Sequence, residues 1–485
     1  MRSASCGSRG ARIGLRTFGL TLLFGSAAAC AAPPAPSTPA SADSEAATTG
    51  CAAQMLTGLS HSSNLLGSIC GLRTALGRAG ISLGLTETSE ALGNLSGGTR
   101  RGFAYDGLTT LDLQLDTQRA FGHDGGSANL SVLQVHGSDL SATHLQTLQT
   151  ASGIEASRAT RLWELWYQQK FGEDGRDDVR IGQQSLDQEF MVSQNALMFV
   201  NTMFGWPMLP SADLPGGGPA YPLSAPGVRL RLQPDDAFTV LTGVFNGSPL
   251  NGRGQDASGT RFPVNGGALA IAEVQYADPN LGTMLYANQA EPLARVYKFG
   301  IWYDTESFAD QELDAGGLSL ANPASSGVPL AHRGDWAWYA VADQMLWQDA
   351  VEPDRNVNLF ARVSGTPEKD RNLIDFSLNA GLTVHEPLRG RDDDSFGVAM
   401  GYAHVSPRAA ALDVDTASVT GTDVPVRGAE TFVELTYQVQ LTPWLQLQPD
   451  LQYVFNPGAG VANPGSPGAR IGDEFVAGLR ANITF

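Results

Sequence analysis

The sequence predicts an all-β chain: a transmembrane antiparallel β-barrel of about 16 strands, preceded by a short N-terminal helical module. Three observations carry this. From about residue 80 to the last residue, apolar and polar side chains alternate with period two, in runs of nine to fourteen residues. Only 16% of the 485 residues are charged, against about 25% in an ordinary soluble domain. Aromatic residues gather at the ends of the runs: Trp163, Tyr167 and Phe171; Tyr297, Phe299 and Tyr303; Trp444, Tyr453 and Phe455. Alternation alone also fits a soluble sandwich. Soluble strands, however, average about five or six residues, whereas a bilayer needs tilted strands of about 9 to 11. A sandwich would also turn a Lys- and Glu-rich face to water, and here the polar faces are Gln, Asn, Ser, Thr and Gly. Closure follows because an unpaired strand edge cannot be hydrated in lipid.

Residues 1–30 read as a secretory signal. Arg2, Arg9, Arg12 and Arg16 give a basic start, and TFGLTLLFGSAAA gives a short apolar core followed by small residues. That core is too short to span a bilayer. Cys30 follows three alanines and has two readings, lipidation or ordinary cleavage nearby. Residues 31–54 are a flexible Pro/Ala/Ser linker. In the segment 55–79, Leu65, Leu66, Ile69, Leu72 and Leu76 fall at helical spacing and predict a helix of about four turns, ending at Gly77 or Gly80. Cys51 and Cys70 either pair, as the oxidising periplasm favours, or remain buried thiols.

The barrel is expected over 80–485. LDLQLD (111–116), VELTYQVQL (433–441) and LQLQPDLQY (445–453) show the alternation most cleanly. The runs begin at 80–95 and end at 471–485, and include 178–189, 227–234, 294–305 and 334–347. With the first strand starting in the periplasm, the outward connections are the long ones: 190–226, 248–266, 306–333, 406–427 and 457–470. The periplasmic turns are short except for 278–293.

No catalytic motif stands out: there is no GxSxG, HExxH, P-loop or dinucleotide-binding glycine pattern, and the seven His are scattered. No enzymatic activity, cofactor or metal is expected. A net charge of −18 without polybasic tracts argues against nucleic acid. The third outward connection, 190–226, is too apolar for a freely solvated loop. Phe190, Met191, Leu197, Met198, Phe199, Met203, Phe204 and Trp206 lie within it, beside Asn195 and Asn201. It is expected to fold against the wall and narrow the lumen; the alternative is a cap outside the barrel. Directly after it, GVRLRLQP turns Val228, Leu230 and Leu232 outward and Arg229 and Arg231 inward. Planar guanidinium groups there can donate to the hydroxyls of a passing sugar. Arg180, Arg362, Glu164, Lys298 and Asp375 also fall on polar faces, either contacting solute or forming a charge network. Trp166 and Trp302 are in phase with polar neighbours, hence toward the lumen, where an aromatic face stacks on a pyranose; a one-residue slip would return both to the outer girdle. Joint replacement of Arg229 and Arg231 by Ala is expected to alter selectivity and leave folding intact.

Over about 65–485 the chain resembles the carbohydrate-selective porin (OprB) family. The resemblance rests on CGLRTALGRAGISLGL, LGNLSGGTRRG, DQEFMVSQNALMFVNTMFGWPMLPSADLPGGGPAYPLSAPGVRLRLQP, RNLIDFSLNAGL, LQPDLQYVFNPG and RIGDEFVAGLRANITF. It implies a sixteen-stranded barrel in the Gram-negative outer membrane, passing glucose and related small sugars passively through a constricted, Arg-containing lumen, with outer-membrane lipid around it. Phe485, in phase with Leu479, Ala481 and Ile483, resembles the terminal signature read by the outer-membrane assembly machinery. The long linker, Cys51, Cys70 and a start without Trp depart from the family pattern. Competing readings are a general, weakly cation-preferring diffusion porin and a structural or adhesin-type barrel, each as monomer or homotrimer.

Overall fold

Period-two alternation becomes sixteen antiparallel strands in a single closed barrel. The structure, a computed structural model, describes residues 62–252, 256–278, 293–421 and 423–485. The expected signal, the linker and residues 55–61, Cys51 among them, lie outside the described residues, as does most of the connection 278–293. The strands are β1 (Ile81–Ser96), β2 (Gly102–Asp116), β3 (Gly126–Gly137), β4 (Ala159–Phe171), β5 (Asp177–Gln184), β6 (Ala225–Leu232), β7 (Phe238–Asn246) and β8 (Ala268–Ala277). They continue as β9 (Arg295–Asp314), β10 (Pro329–Gln348), β11 (Asn356–Gly365), β12 (Ile374–His385), β13 (Ser395–Val405), β14 (Ala429–Thr442), β15 (Leu445–Phe455) and β16 (Glu474–Thr484). Each pairs with its sequence neighbours, and β1 closes on β16 with Glu87 opposite Ile483 and Ala91 opposite Leu479.

Several boundaries differ from the expected ones for physical reasons. β5 stops at Gln184, five residues short of the expected 189. The Ser185 amide donates to Glu164 (2.9 Å) and Asp187 accepts from the Ser185 hydroxyl (2.6 Å) and the Tyr221 amide (2.9 Å), which turns the chain into the barrel. Half of the expected outer loop 306–333 is strand, because β9 and β10 pair out to Pro329 opposite Asp314. The outer connection after β13 carries a helix, α2 (Pro407–Thr420), capped by the Ser406 hydroxyl. A bulge in β4 sets Leu162 opposite Val132 and Glu164 opposite Ser131, so Trp163 drops out of register. Trp163 is therefore buried against Tyr221 and leaves the outer girdle, whereas Tyr167, Phe171, Tyr297, Phe299, Tyr303, Tyr453 and Phe455 stay exposed.

The N-terminal helix is shorter than expected. Ile69, Cys70 and Gly71 take left-handed backbone (φ 48°, 56° and 84°), so helix α1 spans only Leu72–Arg78. Cys70 is disulfide-bonded; its expected partner Cys51 lies outside the described residues. This segment fastens the seam of the barrel. The Leu65 amide donates to the Thr484 carbonyl (2.8 Å), and the Arg73 guanidinium donates to the carbonyls of Leu83 and Phe485.

Candidate functional site: the constricted lumen

A loop folded into a barrel brings backbone N–H and C=O groups away from water, and each needs a partner. The connection between β5 and β6 (185–224) enters the lumen, as its apolar composition predicts, and the inward charges of the far wall satisfy it. The Met191 amide donates to Glu273 (2.9 Å), and the Val200 and Asn201 amides donate to the two oxygens of Glu434 (2.6 and 3.0 Å). Ser193 and the Asn195 carboxamide donate to Asp343 (2.6 and 2.8 Å). On the acceptor side, Lys298 donates to the Val192 carbonyl (2.7 Å) and Gln448 to that of Met198 (2.7 Å). Arg362 reaches three loop carbonyls: Met191 and Gly205, each at 2.9 Å, and Met203. Asn201 caps its own turn at the Met203 amide (3.0 Å) and binds Gln452 (3.1 Å).

Apolar packing then fixes the loop. Phe190, Phe199, Phe204 and Trp206 are buried in one cluster with inward residues of the far wall, including Phe245, Ile271, Trp302, Tyr339, Phe360 and Phe432. Phe204 meets Phe360 and Phe432 edge to face at 5.8 and 5.4 Å. A second loop, between β3 and β4, also folds inward, which the sequence reading did not anticipate. Its Leu148 and Gln149 amides donate to Glu430 (2.8 and 2.7 Å), its Ala151 carbonyl accepts from Gln452 (2.8 Å), and Gly153 donates to Val200 (2.8 Å), joining the two loops.

Together the loops cover the inner faces of β8–β13, where Gln275, Lys298, Asp343, Asn358, Thr383 and Ser395 are all buried. Inward residues on β16, β1, β2 and β4–β6 keep partial exposure: Asn482, Thr88, Thr110, Trp166, Gln168, Arg180 and Arg231. Partly exposed inward surface is thus found on that side among the described residues. There the Arg180 guanidinium lies over the Trp166 ring, 3.9 Å from its centroid. Arg180 also donates to Gln168 (2.8 Å) and pairs with Glu189 of the loop (3.1 Å). Arg229 grips the same Glu189 through both oxygens (2.6 and 2.7 Å) and pairs with Asp178. Burial pushes the Glu189 carboxyl up, but Arg180, Arg229 and Arg231 outweigh it and hold it below the usual glutamate range.

The residues singled out in the sequence therefore divide. Arg180, Arg231 and Trp166 face inward and stay partly exposed, with Glu164 beneath accepting from the Trp166 indole (3.3 Å). Arg229 and Arg362, each 1% exposed, are internal fasteners and present no free donor to a solute; Lys298 is a fastener of the same kind. Trp302 faces inward as expected but is also 1% exposed, sealed under the loop, with no ring face left for stacking. Asp375 is away from these groups, paired with Lys369 (3.2 Å) and His404 (2.6 Å). Asp178 and Glu189 carry no site signal in the sequence: Glu189 falls at the end of the expected strand 178–189, and Gln168 only shares the lumenal phase of Trp166.

The loop helix Met208–Asp213 ends on a buried carboxyl. Asp213 accepts from the Leu373 and Ile374 amides (2.8 and 3.2 Å), and its second oxygen has no partner among the described residues. Burial pushes this carboxyl well above the usual range, against the two amides, with Asp335 and Asp375 pushing the same way. A raised folded value means that docking loses free energy as pH rises from the ordinary carboxylate range to that value. Single-channel conductance is thus expected to rise with pH over that interval, and Asp213→Asn to flatten this component; an unchanged profile in the variant refutes it.

A closed sixteen-stranded barrel with an apolar exterior and loops narrowing a polar lumen defines an outer-membrane diffusion porin. Residues 100–485 match the carbohydrate-selective porin, OprB family. The chain belongs to that family, and is a sugar-selective porin integral to the Gram-negative outer membrane. It is similar to Porin B of Pseudomonas aeruginosa, 26% identical over 448 residues that cover 87% of this chain and 91% of that one. Putative porin QuiX of Acinetobacter baylyi is 24% identical over 441 residues, covering 87% and 93%. Among solved structures, Pseudomonas putida OprB at high pH superposes with a TM-score of 0.74 at 24% identity, over 88% of this chain and 99% of that one, a likeness of fold.

Proposed function

We propose that glucose-sized sugars diffuse passively along the β16–β6 side of the lumen, past Arg180, Trp166, Gln168 and Arg231. The observation that carries this is the partly exposed Arg180–Trp166 stack, set at the loop edge by Glu189. A pyranose has an apolar C–H face for an aromatic ring and equatorial hydroxyls for a guanidinium and a carboxamide. A general cation-preferring pore would need free lumenal carboxylates. Glu273, Asp343, Glu430 and Glu434 are instead buried and committed to loop amides or hydroxyls; with Asp112 on β2 the partly exposed exception, this favours the selective reading. In planar bilayers, glucose is expected to reduce ion conductance in a saturable way. Trp166→Ala should weaken that effect about twofold to twelvefold, as roughly 0.5–1.5 kcal/mol of aromatic contact implies. Arg180→Ala should weaken it as well. Glucose-independent conductance in the wild-type protein would refute selectivity at this site.

Export by residues 1–30, a linker over 31–54, a helical segment over 55–79 and a barrel over 80–485 complete the proposal. Recognition of Phe485 by the outer-membrane assembly machinery belongs to it too: its amide donates to Leu85 (2.9 Å), continuing β16 to the last residue.

A further inference from the structure

The outward residues of β9 and β10 change character toward the outer end of the barrel. Ile301 stands opposite Trp338 and Tyr303 opposite Trp336, apolar and aromatic side chains suited to lipid and its interface. The next outward pair is Ser307 with Arg333. Between these pairs the register shifts: Thr305 and Glu306 on β9 stand against Gly334 alone on β10, a bulge of the kind common at barrel rims. Arg371, from the β11–β12 connection, holds the bulge by donating to the Gly334 carbonyl (2.6 Å).

The bulge opens a cavity of about 410 Å³, lined by Tyr303, Glu306, Ser307 and Arg333 with Gly267 and Gly334 at its edges. Small-molecule sites usually span roughly 300–1,000 Å³. Both glycines take left-handed backbone (φ 69° and 74°), and a Cβ would overlap Glu306 at position 267 and the Tyr303 hydroxyl at position 334. The polar groups of this cavity are uncommitted. Among the described residues, the side chains of Arg333, Glu306, Ser307 and Tyr303 make no hydrogen bond or ion pair. Thr305 accepts from the Ala268 amide (2.8 Å) and keeps its own proton to donate. Neighbouring charges on the same rim are paired: His332 and Arg408 with Asp310, and Arg371 with Glu368 and Asp370.

We propose that this cavity binds the phosphorylated sugar headgroup of an outer-leaflet glycolipid. Tyr303, Ser307 and Arg333 share the outward phase, so the ligand comes from the membrane side and not from the lumen. The site lies one outward pair beyond Tyr303 and Trp336, at the level of lipid headgroups. A guanidinium binds phosphate through two parallel hydrogen bonds. Glu306 accepts from sugar hydroxyls, which the hydroxyls of Ser307 and Thr305 also meet. A carboxylate in the same cavity disfavours a bare anion and favours a ligand with donors of its own. Acyl chains then run down the exposed Tyr303, Ile301 and Phe299. The proposal rests on the barrel lying in the outer membrane with the β9–β10 connection outside, and goes beyond its transport reading.

The test is native mass spectrometry of the porin purified from outer membranes and titrated with bisphosphorylated lipid A. Saturable retention of the lipid is expected, with affinity falling about tenfold in Arg333→Ala, as loss of a charge-assisted two-bond contact implies. Arg333→Lys should recover part of it. Arg101→Ala, which removes an exposed arginine of the β1–β2 connection, should bind as the wild type does. Undiminished retention in Arg333→Ala overturns the proposal, as does an equal loss in Arg101→Ala. So does equal retention of dephosphorylated lipid A or of phosphatidylglycerol, or displacement of lipid A by equimolar inorganic phosphate. Heat-dependent gel mobility and glucose-sensitive conductance of Arg333→Ala should match the wild type. They report folding and transport separately, so failure of this site is distinguishable from failure of the porin reading.

Discussion

Replacing Arg229 by Ala is expected to destabilise the barrel by roughly 3–5 kcal/mol, the cost of leaving buried charges without their partner. Its guanidinium is 1% exposed and holds Asp178 on β5 and both oxygens of Glu189 on the inward loop. Removal strands Asp178 and leaves Glu189 with Arg180 as its direct ion pair. The first consequence is release of the loop at its root, seen as a larger and noisier conductance. The second is a lower midpoint in thermal or denaturant unfolding, followed by gel mobility. Arg231→Ala is the contrasting case. That side chain is partly exposed, with a 3.3 Å contact to Gln233, and its loss should change stability by no more than about 0.5 kcal/mol. The two arginines, read from the sequence as a matched pair, therefore separate: one holds the loop and the other borders the proposed passage. The double substitution is not expected to leave folding intact.

Arg362→Met should open the constriction from the opposite wall. Arg362 is the common donor to the carbonyls of Met191, Met203 and Gly205, and also reaches Asn379 (3.2 Å). Each buried acceptor left without a donor costs about 1–3 kcal/mol. Methionine fills similar volume without replacing any of them, so the loop is expected to trade its seat for water. Conductance should rise and oligosaccharides excluded by the wild-type protein should enter. Arg362→Lys restores one donor group and should recover part of the exclusion. Unaltered size exclusion in Arg362→Met would show that the aromatic cluster around Phe204 suffices to seat the loop.

Strands were legible because lipid on one side and a polar or packed interior on the other impose period two over long runs. The inward loop was legible because Phe190, Phe199, Phe204 and Trp206 have no reason to stand in water. Other features depend on pairs distant in sequence. Whether an inward arginine meets solute or a carboxylate is decided by Asp178 and Glu189, 51 and 40 residues from Arg229. Inward apolar residues such as Ile271, Phe360 and Phe432 make sense only once the loop lies against them. The second inward loop carries SDLSATHLQTLQTASG, polar enough for an ordinary outer loop; its anchor, Glu430, is 281 residues from Gln149. The bulge that buries Trp163 is likewise invisible in a pattern that is read two residues at a time.

The proposed passage, narrow and sugar-selective, runs between the two inward loops and the β16–β6 wall. Liposome swelling with sugars of increasing size distinguishes it from an unselective pore. Rapid entry of monosaccharides with a steep fall toward larger oligosaccharides, flattened by Arg362→Met, is the predicted result. Equal rates across the series in the wild-type protein would contradict it.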